Sequence, residues 1–168
     1  MTGGGFSNSV AGAKRGLRFT IPMNARIVGI RLSTQNSAGD YNVCIYDDAG
    51  SELSNSCTAY TGAVAPAAAT GVNWTFLDNT VTVTAGTTYR AAIEPTSATN
   101  VRLDAFVLPS ASYRGATPIG TTGHYTTFTT AGGWVDSATD TVPLMDILLD
   151  QVDNGTGAGT SGGRIIGG

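Results

Sequence analysis

Residues 25–50 read ARIVGIRLSTQNSAGDYNVCIYDDAG, and this stretch decides the fold class. In its first half, Ile30 and Leu32 fall on one face of an extended chain and Arg31 falls on the other. The second half contains a strand-like run at 41–46 and ends in Asp-Asp-Ala-Gly, a strong turn sequence. Alternation with a period of two, interrupted by turns, is typical of antiparallel strands that bury one face. The stretch therefore predicts two strands joined by a turn.

The same pattern continues through most of the chain. Asp78 and Asn79 separate two short apolar runs, so we expect two strands there with a turn between them. No segment shows a convincing helical period. Short strands punctuated by Gly, Pro and Asp predict an all-β antiparallel sandwich, of jelly-roll type. The further predicted strands are 16–22, 53–60, 74–76, 81–83, 88–95, 101–109, 124–129, 134–136 and 144–150.

The amino-acid composition agrees with an all-β fold. Of the 168 residues, 41% are hydrophobic, which is enough for one core. Charged residues make up only 12%, about half of the usual ~25%. Gly occurs 23 times, whereas Lys occurs once and Glu twice. Because good helix formers are scarce, the composition excludes a helical bundle and disfavours an α/β nucleotide-binding fold.

The two ends of the chain differ from its middle. We predict an N-terminal arm at 1–15, a β-sandwich domain at 16–153 and a flexible Gly-rich tail at 154–168. Both ends carry apolar residues outside the strand pattern. One interpretation is that these residues are tail sequence without a role, and the other is that they bind neighbouring subunits. The residues concerned are Phe6 and Val10 in the arm, and Arg164, Ile165 and Ile166 in the tail.

The charge distribution excludes several classes of partner. The net charge is −3 and the arginines are scattered singly, so no basic face is available for nucleic acid or an anionic membrane surface. No apolar run approaches the ~20 residues of a membrane span. The first residues lack the charged and apolar regions of a signal peptide. We therefore expect a protein that is made and kept inside a cell unless it leaves by another route, such as lysis or assembly into a particle.

The sequence offers little for catalysis. His124 is the only histidine and lies in a strand-like segment, where a structural role is the commoner one. No Gly-x-Ser-x-Gly elbow is present to supply a serine nucleophile, because the one match to these letters, at 159–163, lies in the Gly-rich tail and not between a strand and a helix. Glu52 and Glu94 are the only glutamates, and each lies beside a turn or a strand-ending proline. We predict that the protein is not an enzyme and uses no cofactor.

Metal binding and disulfide formation have limited support in the sequence. Asp47 with Asp48, or Asp150 with Asp153, could offer oxygen ligands to calcium, but no EF-hand or RTX repeat surrounds them and no metal site is assigned. The only cysteines, Cys44 and Cys57, lie one hairpin apart. Two readings stay open: they form a pair that can oxidise, or they are two structural thiols.

Several aromatic residues are candidates for stacking on a sugar. These are Tyr113 in a predicted loop, Tyr125 on a predicted strand and Trp134 after a Gly-Gly turn. Binding would require two or three of their rings to be coplanar and exposed. Trp74 and Phe76 share one face of a strand, so we expect at least one of them in the core.

Three parts of the chain together follow the pattern of a known family. The first has F-x-x-P at 19–22, G-x-x-L at 29–32 and G-D-Y-x-V-x-I-Y-D-x-x-G at 39–50. The second has A-G-T-x-Y-R at 85–90, and the third has G-G-W at 132–134. This order, followed by a Gly-rich tail, resembles the β-sandwich modules of structural proteins in tailed-phage virions and prophages. The likeness spans roughly residues 6–153, with Val142 standing before Pro143 where the family pattern has Arg.

The resemblance implies a structural component of a virion and brings no catalytic residues. It implies a capsid decoration (cement) protein, or a fibre component attached to the head or tail. The expected partners are the major capsid protein or other virion proteins, with further copies of the chain in a homo-oligomer such as a trimer. The expected location is the virion, after synthesis in the bacterial cytoplasm and release by lysis. The alternative is a carbohydrate-binding module that recognises a host receptor or polysaccharide.

Overall fold

A computed structural model describes residues 5–9, 11–36, 40–60, 70–96, 101–107, 124–136 and 141–153. Within these ranges the chain forms twelve strands and no helix. In chain order they are β1 (Gly5–Ser9), β2 (Lys14–Thr20), β3 (Asn24–Asn36), β4 (Tyr41–Asp47), β5 (Thr58–Tyr60), β6 (Thr70–Val83), β7 (Thr88–Pro95), β8 (Val101–Val107), β9 (His124–Thr129), β10 (Gly133–Asp136), β11 (Thr141–Pro143) and β12 (Met145–Asp153).

The strands form two six-stranded antiparallel sheets that pack against each other. Sheet A contains β1, β8, β3 and β12 in that order, with β6 on the other side of β3 and β11 paired to β8. Sheet B has the order β10-β9-β2-β7-β4-β5. This arrangement confirms the predicted all-β antiparallel sandwich, whereas the jelly-roll connectivity stays a prediction.

The core lies between the sheets and follows the alternation that the sequence predicts. On β4, Tyr41, Val43 and Ile45 point inward and are fully buried. Ile30 and Leu32 of β3, which belongs to the opposite sheet, lie in the same core cluster. Burying such side chains is the main stabilising contribution to a sandwich of this kind, at about 1.5–3 kcal/mol for each large apolar residue.

Strand β6 differs from the prediction, because it is one long strand rather than two short ones. It pairs with β3 from Thr70 to Phe76 and again from Val81 to Val83, and the register shifts between Ile27 and Gly29. The segment with Asp78 is therefore a bulge in a continuous strand and not a turn. The backbone N–H of Asp78 donates a hydrogen bond of 2.8 Å to Oγ1 of Thr58, which holds the bulge against β5. The predicted turn was wrong because a bulge, like a turn, is a place where residues leave the regular pairing of a strand.

The N-terminal boundary also differs from the prediction. Gly5–Ser9 pairs with β8, and Lys14 already belongs to β2, so part of the predicted arm is an edge strand of sheet A. Phe6 stands opposite Asp104 in this pairing. The other predicted attachment residues (Val10, Arg164, Ile165 and Ile166) lie outside the described residues.

The last described strand lies where the sequence predicts one. The predicted final core strand at 144–150 is confirmed as β12. The predicted tail at 154–168 lies outside the described residues. A helix long and apolar enough to cross a membrane is not found among the residues that the structure describes.

Candidate functional site: the outer face of sheet B

Chemically capable side chains are concentrated on the outer face of sheet B. Because side chains alternate along a strand, the positions between the core residues of β2, β4 and β7 all point to this one surface. We call it the B face and define it by nine residues: Lys14, Arg18, Tyr46, Asp48, Arg90, Glu94, Thr126, Trp134 and Asp136.

Arg90 is the centre of a charged network on the B face. Its side chain is only 7% exposed and lies between two carboxylates. Nη2 donates a hydrogen bond to Asp48 Oδ1 at 3.1 Å, and Nη1 donates to Asp136 Oδ1 and to Thr126 Oγ1. Nε donates to the backbone carbonyl of Asp48 at 3.2 Å. A buried guanidinium needs this number of acceptors, since its desolvation is otherwise uncompensated.

Arg18 extends the network from the neighbouring strand. It binds Asp48 with two parallel hydrogen bonds of 2.7 Å, from Nε to Oδ1 and from Nη2 to Oδ2. Its Nε also lies 3.4 Å from Asp136 Oδ2. Two arginines and two aspartates thus alternate in a closed set, and the geometry of the Arg18–Asp48 pair is the bidentate one that planar guanidinium favours.

The arginines lower the pKa of both carboxyls. The hydrogen bonds from Arg18, and then the charges of Arg18 and Arg90, hold the pKa of Asp48 below its usual range against a smaller opposing effect of burial. At Asp136, burial favours the protonated form, but hydrogen bonds from Arg90 and Thr126 outweigh it and lower the pKa of the carboxyl. Both groups therefore stay charged at neutral pH.

Trp134 covers the network from the edge strand β10. The guanidinium carbon of Arg90 lies 5.1 Å from the centroid of its ring, within range of a cation–π contact. The ring also packs edge-on against Tyr46, with centroids 5.3 Å apart, and against Phe128 at 5.4 Å. On its remaining side lies Gly50, where an added Cβ would stand 2.0 Å from the indole Nε1. The turn after β4 therefore packs directly against the indole.

A second polar group surrounds the only lysine of the chain. Lys14 Nζ lies 3.2 Å from Glu94 Oε2 and donates a hydrogen bond of 3.0 Å to the hydroxyl of Tyr46. That hydroxyl donates in turn to Glu94 Oε2 at 3.0 Å. Burial, followed by the charge of Glu94, raises the pKa of Tyr46 above its ordinary range, so the phenol stays protonated and acts as a donor.

A disulfide closes the remaining side of the B face. Cys44 of β4 and Cys57, just before β5, are bonded to each other, which decides between the two readings that the sequence left open. Glu94 lies close to both sulfur atoms, and these three residues form a group of potential metal ligands. Because the sulfurs are bonded to each other, they offer no thiolates, and the group does not fit a metal ion in this state.

The aspartates considered for calcium have other partners. Asp48 binds the two arginines, and Asp47 Oδ1 accepts a hydrogen bond of 2.8 Å from the backbone N–H of Ser51, which shapes the turn. Asp150 accepts two hydrogen bonds from Arg26. Asp153 pairs with Asn24 at the end of β12, and its side chain is outside the described residues.

The candidate sugar-binding aromatics do not come together on one exposed surface. Tyr125 is 7% exposed and belongs to the core cluster, so its predicted contact role is wrong: its position on β9 faces inward. Trp134 is half-buried, and its ring is engaged by Tyr46, Phe128 and Arg90. Tyr113 lies outside the described residues. Phe76 is 67% exposed on sheet A, and the side chain of Trp74 is not described.

His124 begins β9 and stands opposite Arg18 in the strand register, next to the B face. Its side chain lies outside the described residues. The described charges of the B face are paired with each other and lie beside aromatic rings. Sequence reasoning missed Arg90 and Asp136 because each looks like an ordinary outward residue of a strand. The signal that could have placed them on the outer face was their alternation with core residues along each strand.

Some of the residues quoted for the resemblance lie on the B face, whereas others, such as Phe19 and Tyr41, lie in the core. Tyr46 and Gly50 come from the segment at 39–50, Arg90 from the one at 85–90, and Trp134 from the one at 132–134. The indole of Trp134 contacts the other three. Comparison with known proteins adds no relative: no protein-family model matches the chain, and no curated protein matches it significantly.

Proposed function

We propose that this chain is a non-enzymatic structural protein of a tailed-phage virion. It acts as a capsid decoration (cement) protein or as a fibre component attached to the head or tail, and it binds and stabilises the particle surface. The major capsid protein or another virion protein is its partner. The protein is made in the host cytoplasm and is released in the virion by lysis.

One observation carries this proposal above the others. Three segments that carry the resemblance are separated by about 40 residues each, yet the indole of Trp134 contacts both Tyr46 and Arg90. Tyr46 and Arg90 stand opposite each other where β4 pairs with β7. The convergence supports a resemblance between whole folded modules, and a rigid module with paired surface charges suits a protein whose role is to bind and brace.

The test is co-sedimentation of the purified protein with phage capsids. These capsids are assembled from the major capsid protein encoded in the same genome and have been stripped of their surface proteins. Saturable binding at a stoichiometry that matches the capsid symmetry is the expected result. A glycan array run in parallel addresses the carbohydrate-binding alternative. Glycan binding without capsid binding would contradict the proposal.

A variant lacking residues 154–168 separates attachment from folding. Since the apolar residues Ile165 and Ile166 are the proposed anchor, the truncated chain should occupy fewer capsid sites while its thermal unfolding is unchanged. The matched control is a full-length variant with both isoleucines replaced by Ser, which should lose binding to the same extent. Full occupancy with both variants would remove the tail from the attachment.

A further inference from the structure

The outer face of sheet A carries the most exposed large hydrophobic residue that the structure describes. Phe76 on β6 is 67% exposed. It pairs across the sheet with Gly29 of β3, which pairs on its other side with Leu148 of β12. An added Cβ at Gly29 would lie 3.1 Å from Leu148 Cδ1 and 3.3 Å from Phe76 Cα, so the glycine brings these two residues close together. The result is an apolar strip across three strands.

Two ion pairs flank this strip, one on each side of it along the strand direction. Arg31 pairs with Asp146 on one side, and Arg26 pairs with Asp150 on the other. Their side chains are between 36% and 49% exposed. Both arginines lie on β3 and both aspartates lie on β12. We call this surface the A face and define it by Arg26, Gly29, Arg31, Phe76, Asp146, Leu148 and Asp150.

The charges of the A face form two parallel rows of opposite sign. The row on β3 is positive and the adjacent row on β12 is negative, with two charges in each. The face is therefore neutral, although the chain carries a net charge of −3. Such a surface is complementary to itself under one particular rotation, and self-complementarity is the condition for a two-fold interface.

We propose that the A face binds the A face of a second copy of this chain about a two-fold axis parallel to the strands. This rotation places β3 of one copy over β12 of the other and keeps positions along the strands at the same level. Each arginine then meets an aspartate, and Phe76 packs beside the second copy's Leu148. A two-fold axis perpendicular to the strands would instead place arginine over arginine, which like-charge repulsion disfavours.

The proposal does not depend on attachment to a particle, because it concerns the purified chain alone. Sedimentation velocity over a concentration series tests it directly. The wild type should shift from monomer to dimer as its concentration rises. Dimers without capsid binding would overturn only the proposed function, and capsid binding by a strictly monomeric chain would overturn only the pairing.

Charge-reversed variants provide the decisive experiment. The acidic variant Arg26→Asp/Arg31→Asp and the basic variant Asp146→Arg/Asp150→Arg should each stay monomeric, since each A face then repels its copy. An equimolar mixture of the two should form a heterodimer. The fourfold variant that combines all these changes restores two opposite rows and should dimerise again. A monomeric mixture, or dimers in either variant alone, would overturn the proposal.

A substitution of Phe76 keeps the test valid if a charge-reversed variant fails to fold. Phe76→Ser should weaken the dimer at least about tenfold, as expected for an aromatic residue at the centre of an interface. Val135→Ser is the matched control, because Val135 is the other large hydrophobic residue found exposed within the described ranges, at 58%, and lies on edge strand β10 of sheet B. Equal effects of both substitutions, or none from Phe76→Ser, would contradict the assignment of this face.

Discussion

The two outer faces of the sandwich carry similar residue types in different arrangements. On the B face, Arg90 is buried between two carboxylates beneath an indole ring, and the disulfide and the turn after β4 enclose the set. On the A face, each arginine has an aspartate opposite it on the next strand, and Phe76 stands exposed between the pairs. The comparison teaches that an Arg–Asp pair can either hold a fold together or leave a surface available, and that burial decides which.

The largest expected difference between the faces lies in removing one arginine from each. Arg90→Met removes the buried one of the two arginines that Asp48 and Asp136 share, and we expect a loss of about 3 kcal/mol in the free energy of unfolding, because several charge-assisted hydrogen bonds are lost. Arg31→Met on the A face should cost less than about 1 kcal/mol, since an exposed pair contributes little. Urea unfolding of both variants measures this. Equal losses would show that the two faces do not differ in the proposed way.

The disulfide is expected to contribute nearly as much to the B face. Cys44 and Cys57 are 13 residues apart in sequence, and cross-linking a loop of this length stabilises a protein by about 3 kcal/mol through the unfolded chain. The double variant Cys44→Ala/Cys57→Ala should show this loss in urea unfolding. The wild type under reducing conditions should lose a similar amount, and a reductant should leave the variant unchanged. A variant as stable as the oxidised wild type would contradict the prediction.

A smaller effect is expected where the turn after β4 meets Trp134. In Gly50→Ala the new Cβ would clash with the indole, and we expect a cost of about 1–3 kcal/mol together with a red shift of Trp134 fluorescence. Replacing Trp74 by Phe in all samples leaves Trp134 as the single reporter. The matched control is Gly86→Ala. Both glycines have a positive φ, 95° at Gly50 and 75° at Gly86, but at Gly86 nothing lies within 4 Å of the added Cβ. A red shift in the control, or no red shift in Gly50→Ala, would contradict the predicted contact between the turn and the indole.

The smallest expected difference concerns acid stability. The pKa values of Asp48 and Asp136 are lower in the folded protein than in the unfolded chain, so their contribution is present above an ordinary Asp pKa of about 3.9 and is lost as the pH falls below it. Asp136→Asn should therefore flatten the decline in unfolding free energy below about pH 4. Asp150→Asn on the A face should flatten it less, because Asp150 lies at the surface and solvent screens its pairing with Arg26. A steeper profile in Asp136→Asn would reverse the sign of the predicted linkage.

Much of the fold could be predicted from the sequence, because burial in a two-layer sandwich imposes a period of two. Tyr41, Val43 and Ile45 are inward residues in the sequence pattern and in the structure. Errors occurred where the pattern is ambiguous. The bulge at Asp78 looks like a turn in the sequence. Strand β1 has almost no apolar pattern, since an edge strand can form through backbone hydrogen bonds to its neighbour, here β8.

The candidate site could not be predicted in the same way. Each B-face residue occupies an ordinary outward position, and its partners lie far away in sequence: 42 residues separate Arg90 from Asp48, and 46 separate it from Asp136. Tyr125 shows the opposite error, since an aromatic residue in a Thr-rich segment looked exposed but faces the core. Both cases depend on which strands become neighbours.

The sequence by itself determined the class of this protein: its scarcity of helix formers, its turns and its alternation permit little besides an antiparallel sandwich. It also determined which side of regularly alternating strands such as β4 faces inward, because apolar side chains are driven out of water. The tertiary structure alone decided that Arg18, Asp48, Arg90 and Asp136 form one network, and that Cys44 and Cys57 are bonded. The physical reason is that local preferences act over a few residues, whereas charge pairing and disulfide formation require the order of strands in a sheet.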